Sequence, residues 1–164
     1  MPTPPADPAI PFDAATAFHE AGHAVIALVL DRPVHRVSVL PNRERLGQCE
    51  FGKGVGRPSH DWLENEILIA LAGLAAEARH TGKYGFAEAD RDLRHVRRLI
   101  LRRTSPRAAE RLERRMLAKV EYLLADEGHW RAVGQIAAEL LKWGAISGRA
   151  ARHHFERARA DRER

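Results

Sequence analysis

Apolar residues recur at helical spacing through most of the chain and alternate over only one short stretch. Over residues 14–30, Phe18, Gly22, Val25, Ile26 and Val29 form a single stripe. Asp13 precedes it as an N-cap, and Asp31, Arg32 and Pro33 end it. Residues 34–40 then alternate, with β-branched Val37 and Val39, and read as a strand. Pro41-Asn42-Arg43-Glu44 reads as a turn, 47–51 as a short returning strand, and 52–58 as a glycine-rich loop. The period becomes helical again from Asp61, which stands at capping-box spacing from Glu64. Leu63, Ile67, Ala70, Leu71, Leu74 and Ala78 make that helix's buried face, and Gly82 stops it. A third helix starts within 87–90 and turns Leu93, Val96 and Ile100 inward. Ser105-Pro106 opens a fourth, striped by Leu112, Met116, Val120 and Leu123. The fifth runs over 129–143 with Trp130, Val133, Ile136 and Leu140, and ends at Gly144. Ser147 begins a last helix that gives way to charge after Phe155. The pattern predicts a mainly α domain with a small β element over 13–157. A proline-rich flexible arm (1–12) precedes it and a charged tail (158–164) follows.

Composition narrows the class. A length of 164 residues suits one domain with a real core, and the single cysteine, Cys49, excludes an intramolecular disulfide. The longest apolar run, 24–30, falls far short of the ~20 residues that span a bilayer. The N-terminus lacks the charged-then-apolar order of a signal peptide, so a soluble cytoplasmic protein without a membrane segment is expected. The net charge of +5 rests largely on arginines. Arg91, Arg94, Arg98 and Arg102 share one predicted face, and Arg107, Arg111, Arg114 and Arg115 cluster on the next helix. No aromatic-studded strand, recognition helix or Cys/His finger accompanies them, so these are read as solvated faces and no nucleic-acid partner is expected. The 52–58 loop lacks the Gly-Lys-Ser/Thr ending of a nucleotide-binding P-loop.

Chemistry concentrates in His19-Glu20-Ala21-Gly22-His23, an H-E-x-x-H pattern inside the first predicted helix. At about 100° per residue, positions four apart share a face, so His19 and His23 can offer two imidazoles to one metal ion. Glu20 sits beside them as a general base for water. This chain's His and Glu content would yield the pattern by chance only about 0.04 times. Catalytic zinc takes a third protein ligand. The extended pattern with Gly three and His six residues after the second histidine is absent, because Ile26 and Val29 occupy those places. Glu77, Asp90, Asp92, His80 and His95 are then the candidates. Spacing alone divides evenly between Glu77 and one of the two aspartates, which as helix-opening carboxylates also serve as caps.

Three separated segments carry a resemblance. These are 19–24 with His35-Arg36-Val37-Ser38-Val39-Leu40-Pro41 and Leu46-Gly47; then Leu71-Ala72-Gly73-Leu74-Ala75-Ala76-Glu77; then Ala89-Asp90-Arg91-Asp92-Leu93. In order and spacing they resemble the peptidase domain of the FtsH-type ATP-dependent zinc metalloproteases. The resemblance implies His19, His23 and Asp92 as zinc ligands, Glu20 as the base, and Glu77 as a neighbouring helix residue outside the ligand set. Leu74 replaces that family's Arg and Ala78 its second Glu. The implied function is a zinc-dependent metalloendopeptidase that uses a zinc-activated water and has no ATPase of its own. Its substrates would be peptides or unfolded protein, and a separate ATPase would be a partner. Gly47, Gln48, Cys49, Glu50 and Phe51 could form an edge strand to which an extended substrate adds. The rival reading is a zinc-stabilised binding or regulatory module, which would need no Glu20.

Overall fold

The structure, a computed structural model, describes residues 12–42, 47–52, 62–85 and 90–164. In chain order the elements are α1 (Ala14–Val29), β1 (Val34–Ser38), β2 (Gln48–Phe51), α2 (Trp62–Thr81) and α3 (Asp90–Leu101). They continue with α4 (Pro106–Leu124), α5 (Glu127–Trp143), β3 (Ala145–Ser147) and α6 (Gly148–Arg162). The proline-rich arm up to 11, the Asp61 cap, turn residues 43–44, most of the 52–58 loop and the start expected at 87–89 lie outside the described residues.

α1 is the central helix. The Asp13 carboxylate caps it, accepting from the Thr16 N–H at 3.0 Å and the Thr16 hydroxyl at 2.8 Å. The expected stripe is too narrow, because every residue over 20–27 is buried. The cause is cover on more than one side, with α2 and α5 both packed against α1. Ala-rich sequence allows this. A Cβ on Gly22 would lie 2.6 Å from the Ala72 carbonyl oxygen, so the glycine sets how closely α1 and α2 approach. α2 is likewise buried all round over 67–78, while Leu63 stays half-buried. It ends at Gly82, whose φ of +84° carries a left-handed turn.

The sheet is antiparallel with order β2-β1-β3. β3 is not foreseen from the sequence. It is three residues long, running from just after the αL cap Gly144 to the N-cap Ser147 itself, and so too short to show alternation. β1 stops at Ser38, although the Val39 N–H still donates to the Gly144 carbonyl at 2.8 Å. α5 begins earlier than expected because Asp126 caps it, accepting from the Gly128 and His129 N–H groups. In α4, Leu124 rather than Leu123 completes the buried row with Met116 and Val120. α6 continues past Phe155 to Arg162, since Ala151, Phe155 and Ala158 keep a buried face at helical spacing. The helix thus enters the segment read as a charged tail. Among the described residues no helix is long and apolar enough to cross a membrane.

Candidate metal centre

Two helix faces and one helix start meet at the site. His19 and His23, one turn apart on α1, turn their Nε2 atoms to within 3.1 Å of one another. Asp92, in the first turn of α3, brings Oδ2 to 2.8 Å from His19 Nε2 and 3.2 Å from His23 Nε2. Behind each ring stands an acceptor on α2. His19 Nδ1 lies 2.9 Å from Glu77 Oε2, and His23 Nδ1 donates to the Ile69 carbonyl at 2.7 Å. With Nδ1–H committed to these acceptors, loss of the Nε2 proton would leave each ring a lone pair facing the point where the rings meet Asp92. Two imidazole nitrogens and a carboxylate oxygen are the donor set of a divalent transition metal such as zinc, and they fit it here.

The electrostatics agree with that demand. Burial works against charge on His19, yet hydrogen bonds to Asp92 and Glu77 and the nearby Glu20 outweigh it and raise the imidazole to about 10. His23 is raised as well, its burial overcome by the charge and hydrogen bond of Asp92. Burial pushes Asp92 up, but the two histidines hold it far below the usual carboxylate range. The surrounding carboxylates thus favour positive charge at the two Nε2 atoms. A cation would answer that demand in place of protons.

The other candidates stand apart. Asp90 is exposed and pairs with Arg94 at 3.1 Å, one helical turn away. His80 stacks on Phe18 with ring centres 3.8 Å apart, and His95 is exposed on α3. Among the described residues, His19, His23 and Asp92 form the cluster whose donor atoms converge. Sequence reasoning had no means of finding the Ile69 carbonyl, since every residue carries one. Leu74 and Ala78 are buried in the apolar body of α2.

Glu20 is buried beside the cluster, under the start of β2. A Cβ on Gly47 would come within 2.9 Å of both Glu20 Cγ and the Ser38 carbonyl oxygen. Cys49 faces the same way; burial, with Glu20 and Glu50 nearby, pushes its thiol well up. Gln48 and Glu50 point to the opposite face, where with Arg36 and Ser38 they line a cavity of about 190 Å³. The larger cavity, about 270 Å³, lies against Tyr84 and Glu121, and no cluster residue lines it. The arginines singled out over 91–102 and on α4 are exposed.

Comparison with known proteins covers this region. The sequence model of peptidase family M41 matches residues 13–105. The ATP-dependent zinc metalloprotease FtsH of Aquifex aeolicus is 37% identical over 94 residues, covering 54% of this chain and 15% of that protein. The corresponding protein of Magnetococcus marinus is 56% identical over 66 residues, 38% of this chain and 10% of its own. FtsH 3 of Sorangium cellulosum is 39% identical over 67 residues, again 38% of this chain, and 11% of that protein. The chain therefore aligns with 15% or less of each relative's length. Because the family match spans more than half of the chain and contains every residue of the cluster, the chain belongs to peptidase family M41.

Proposed function

We propose that this chain is a zinc-dependent endopeptidase in which His19, His23 and Asp92 hold the metal and Glu20 is the general base. The observation that carries the reading is the convergence of three donor atoms, each within 3.2 Å of the others, from two helices distant in sequence. Zinc bound there would supply Lewis acidity to the scissile carbonyl and to water. Glu77 and the Ile69 carbonyl orient the two rings, so that each Nε2 faces inward. The Glu20 carboxylate takes a proton from the attacking water and returns it to the departing amine nitrogen.

Among the described residues β2 is bordered by β1 on one side and by no strand on the other. An extended polypeptide would add to that edge along 47–51, main chain to main chain, and pass over Glu20 beneath Gly47. Substrates are accordingly peptides and unfolded protein. Folded proteins would need a separate ATPase to unfold them, and a cytoplasmic location suits such a partner. Wild-type chain loaded with zinc should cleave casein, and Glu20→Gln should retain zinc while losing about 10²–10⁴-fold in rate. Undiminished cleavage by Glu20→Gln would remove Glu20 from the mechanism.

A further inference from the structure

α2 carries a glycine at buried position 73, inside a run otherwise made of alanine and leucine. Glycine forms helix less readily than alanine, so a buried mid-helix glycine needs a reason. Backbone conformation is not the reason. Among the described residues the positive-φ glycines are Gly82 and Gly144. Space is the remaining one. A Cβ on Gly73 would stand 2.5 Å from His19 Nε2 and 2.7 Å from His19 Cδ2, and closer still to His23 Nε2. Zinc–nitrogen bonds are about 2.0–2.1 Å long, so that carbon would sit near coordination distance from both rings.

We propose that Gly73 is a positioning residue of the metal centre, its missing side chain leaving the gap in which His19 and His23 share a cation. The inference rests on the zinc reading above and extends it to α2. Ile69, Gly73 and Glu77 follow one another at four-residue spacing and so lie in one row on α2. The outer two hold the backs of His23 and His19 respectively, and the middle one leaves the opening between them. The histidine pair on α1 thus meets a complementary row: acceptor, gap, acceptor. Because both rings are tied at Nδ1, neither can swing from a methyl group at 73 without breaking its tie. Gly22 is different in kind. Its Cβ would strike the Ala72 carbonyl and Ala76, so that glycine serves helix packing.

The test is a double-mutant design read by zinc affinity and thermal melting. Competition titration of Zn²⁺ against a chromogenic chelator should show Gly73→Ala weakened by about 10–100-fold relative to wild type. The same substitution in a His19→Ala/His23→Ala background should raise the melting temperature of the zinc-free chain by about 3 °C. There the methyl meets no imidazole and alanine is the better helix former. Equal zinc affinity in wild type and Gly73→Ala would overturn the proposal. So would an equal loss of melting temperature in both backgrounds, since the methyl would then be striking something other than the rings. A wild-type chain that binds no zinc would instead overturn the reading of the site itself, and this proposal with it.

Discussion

Glu77 Oε2 stands 2.9 Å from His19 Nδ1, the ring nitrogen that does not face Asp92. The contact joins residues 58 apart in sequence and fixes both the rotation and the tautomer of His19. Glu77→Ala should therefore bind zinc about 10–100-fold more weakly, with the zinc-free fold preserved in the circular dichroism spectrum. Unchanged affinity would reduce Glu77 to a bystander.

The two aspartates that open α3 should separate cleanly. Asp92→Ala removes the carboxylate from the cluster and should sharply weaken zinc binding. Asp90→Ala removes an exposed partner of Arg94, a pair type worth about 0.3–0.5 kcal/mol, and should leave affinity alone. Zinc titration of both variants checks the assignment, and the opposite ranking would refute it.

The three atoms nearest a Cβ placed on Gly47 belong to the proposed base, Glu20, and to Ser38. A methyl group there presses on Glu20 Cγ and on the Ser38 carbonyl. Gly47→Ala should slow peptide cleavage while retaining wild-type zinc content. Full activity in that variant would show that Glu20 tolerates displacement, and would weaken its role as base.

Acid should loosen two helix caps. The hydrogen bond from Thr16 lowers the Asp13 carboxyl, and backbone N–H groups, overcoming some burial, lower Asp126. A carboxyl lowered in the folded state stabilises above its unfolded value, here 3.8, and that stability is lost as pH falls through the lower folded value. Replacing Asp13 by alanine removes the α1 cap outright and should cost about 1 kcal/mol at neutral pH. Between about pH 5 and about pH 3 the wild type should lose more melting temperature than an Asp13→Asn/Asp126→Asn variant, whose caps do not titrate. Parallel losses would place the acid sensitivity elsewhere.

Local chemistry was legible in the sequence and long-range chemistry was not. His19, Glu20 and His23 lie within one helical turn, so spacing alone puts them together. Asp92 approaches them across 69 and 73 residues, a distance at which spacing carries no information. The residues themselves left Glu77, Asp90 and Asp92 as alternatives, and family resemblance favoured the one that the structure brings to the histidines. A helix with one apolar stripe, such as α3, shows its buried face in its sequence. α1 and α2 are buried more widely than a single stripe predicts, because burial on several sides erases the amphipathic signal. β3 leaves no mark in the sequence because it owes its pairing to β1 and not to its own three residues.

The match to the family model ends at residue 105, yet the mechanical unit does not. α5 packs along α1, Trp130 lies 5.7 Å from Phe18 ring to ring, and β3 closes the free side of β1. A fragment cut at that boundary would convert β1 from a centre into an edge and lay bare the apolar underside of the histidine helix. It would keep every cluster residue and lose the scaffold that holds them still. The last third of the chain thus works as a built-in brace: it lends no side chain to the cluster, and without it the chemistry has nothing rigid to stand on.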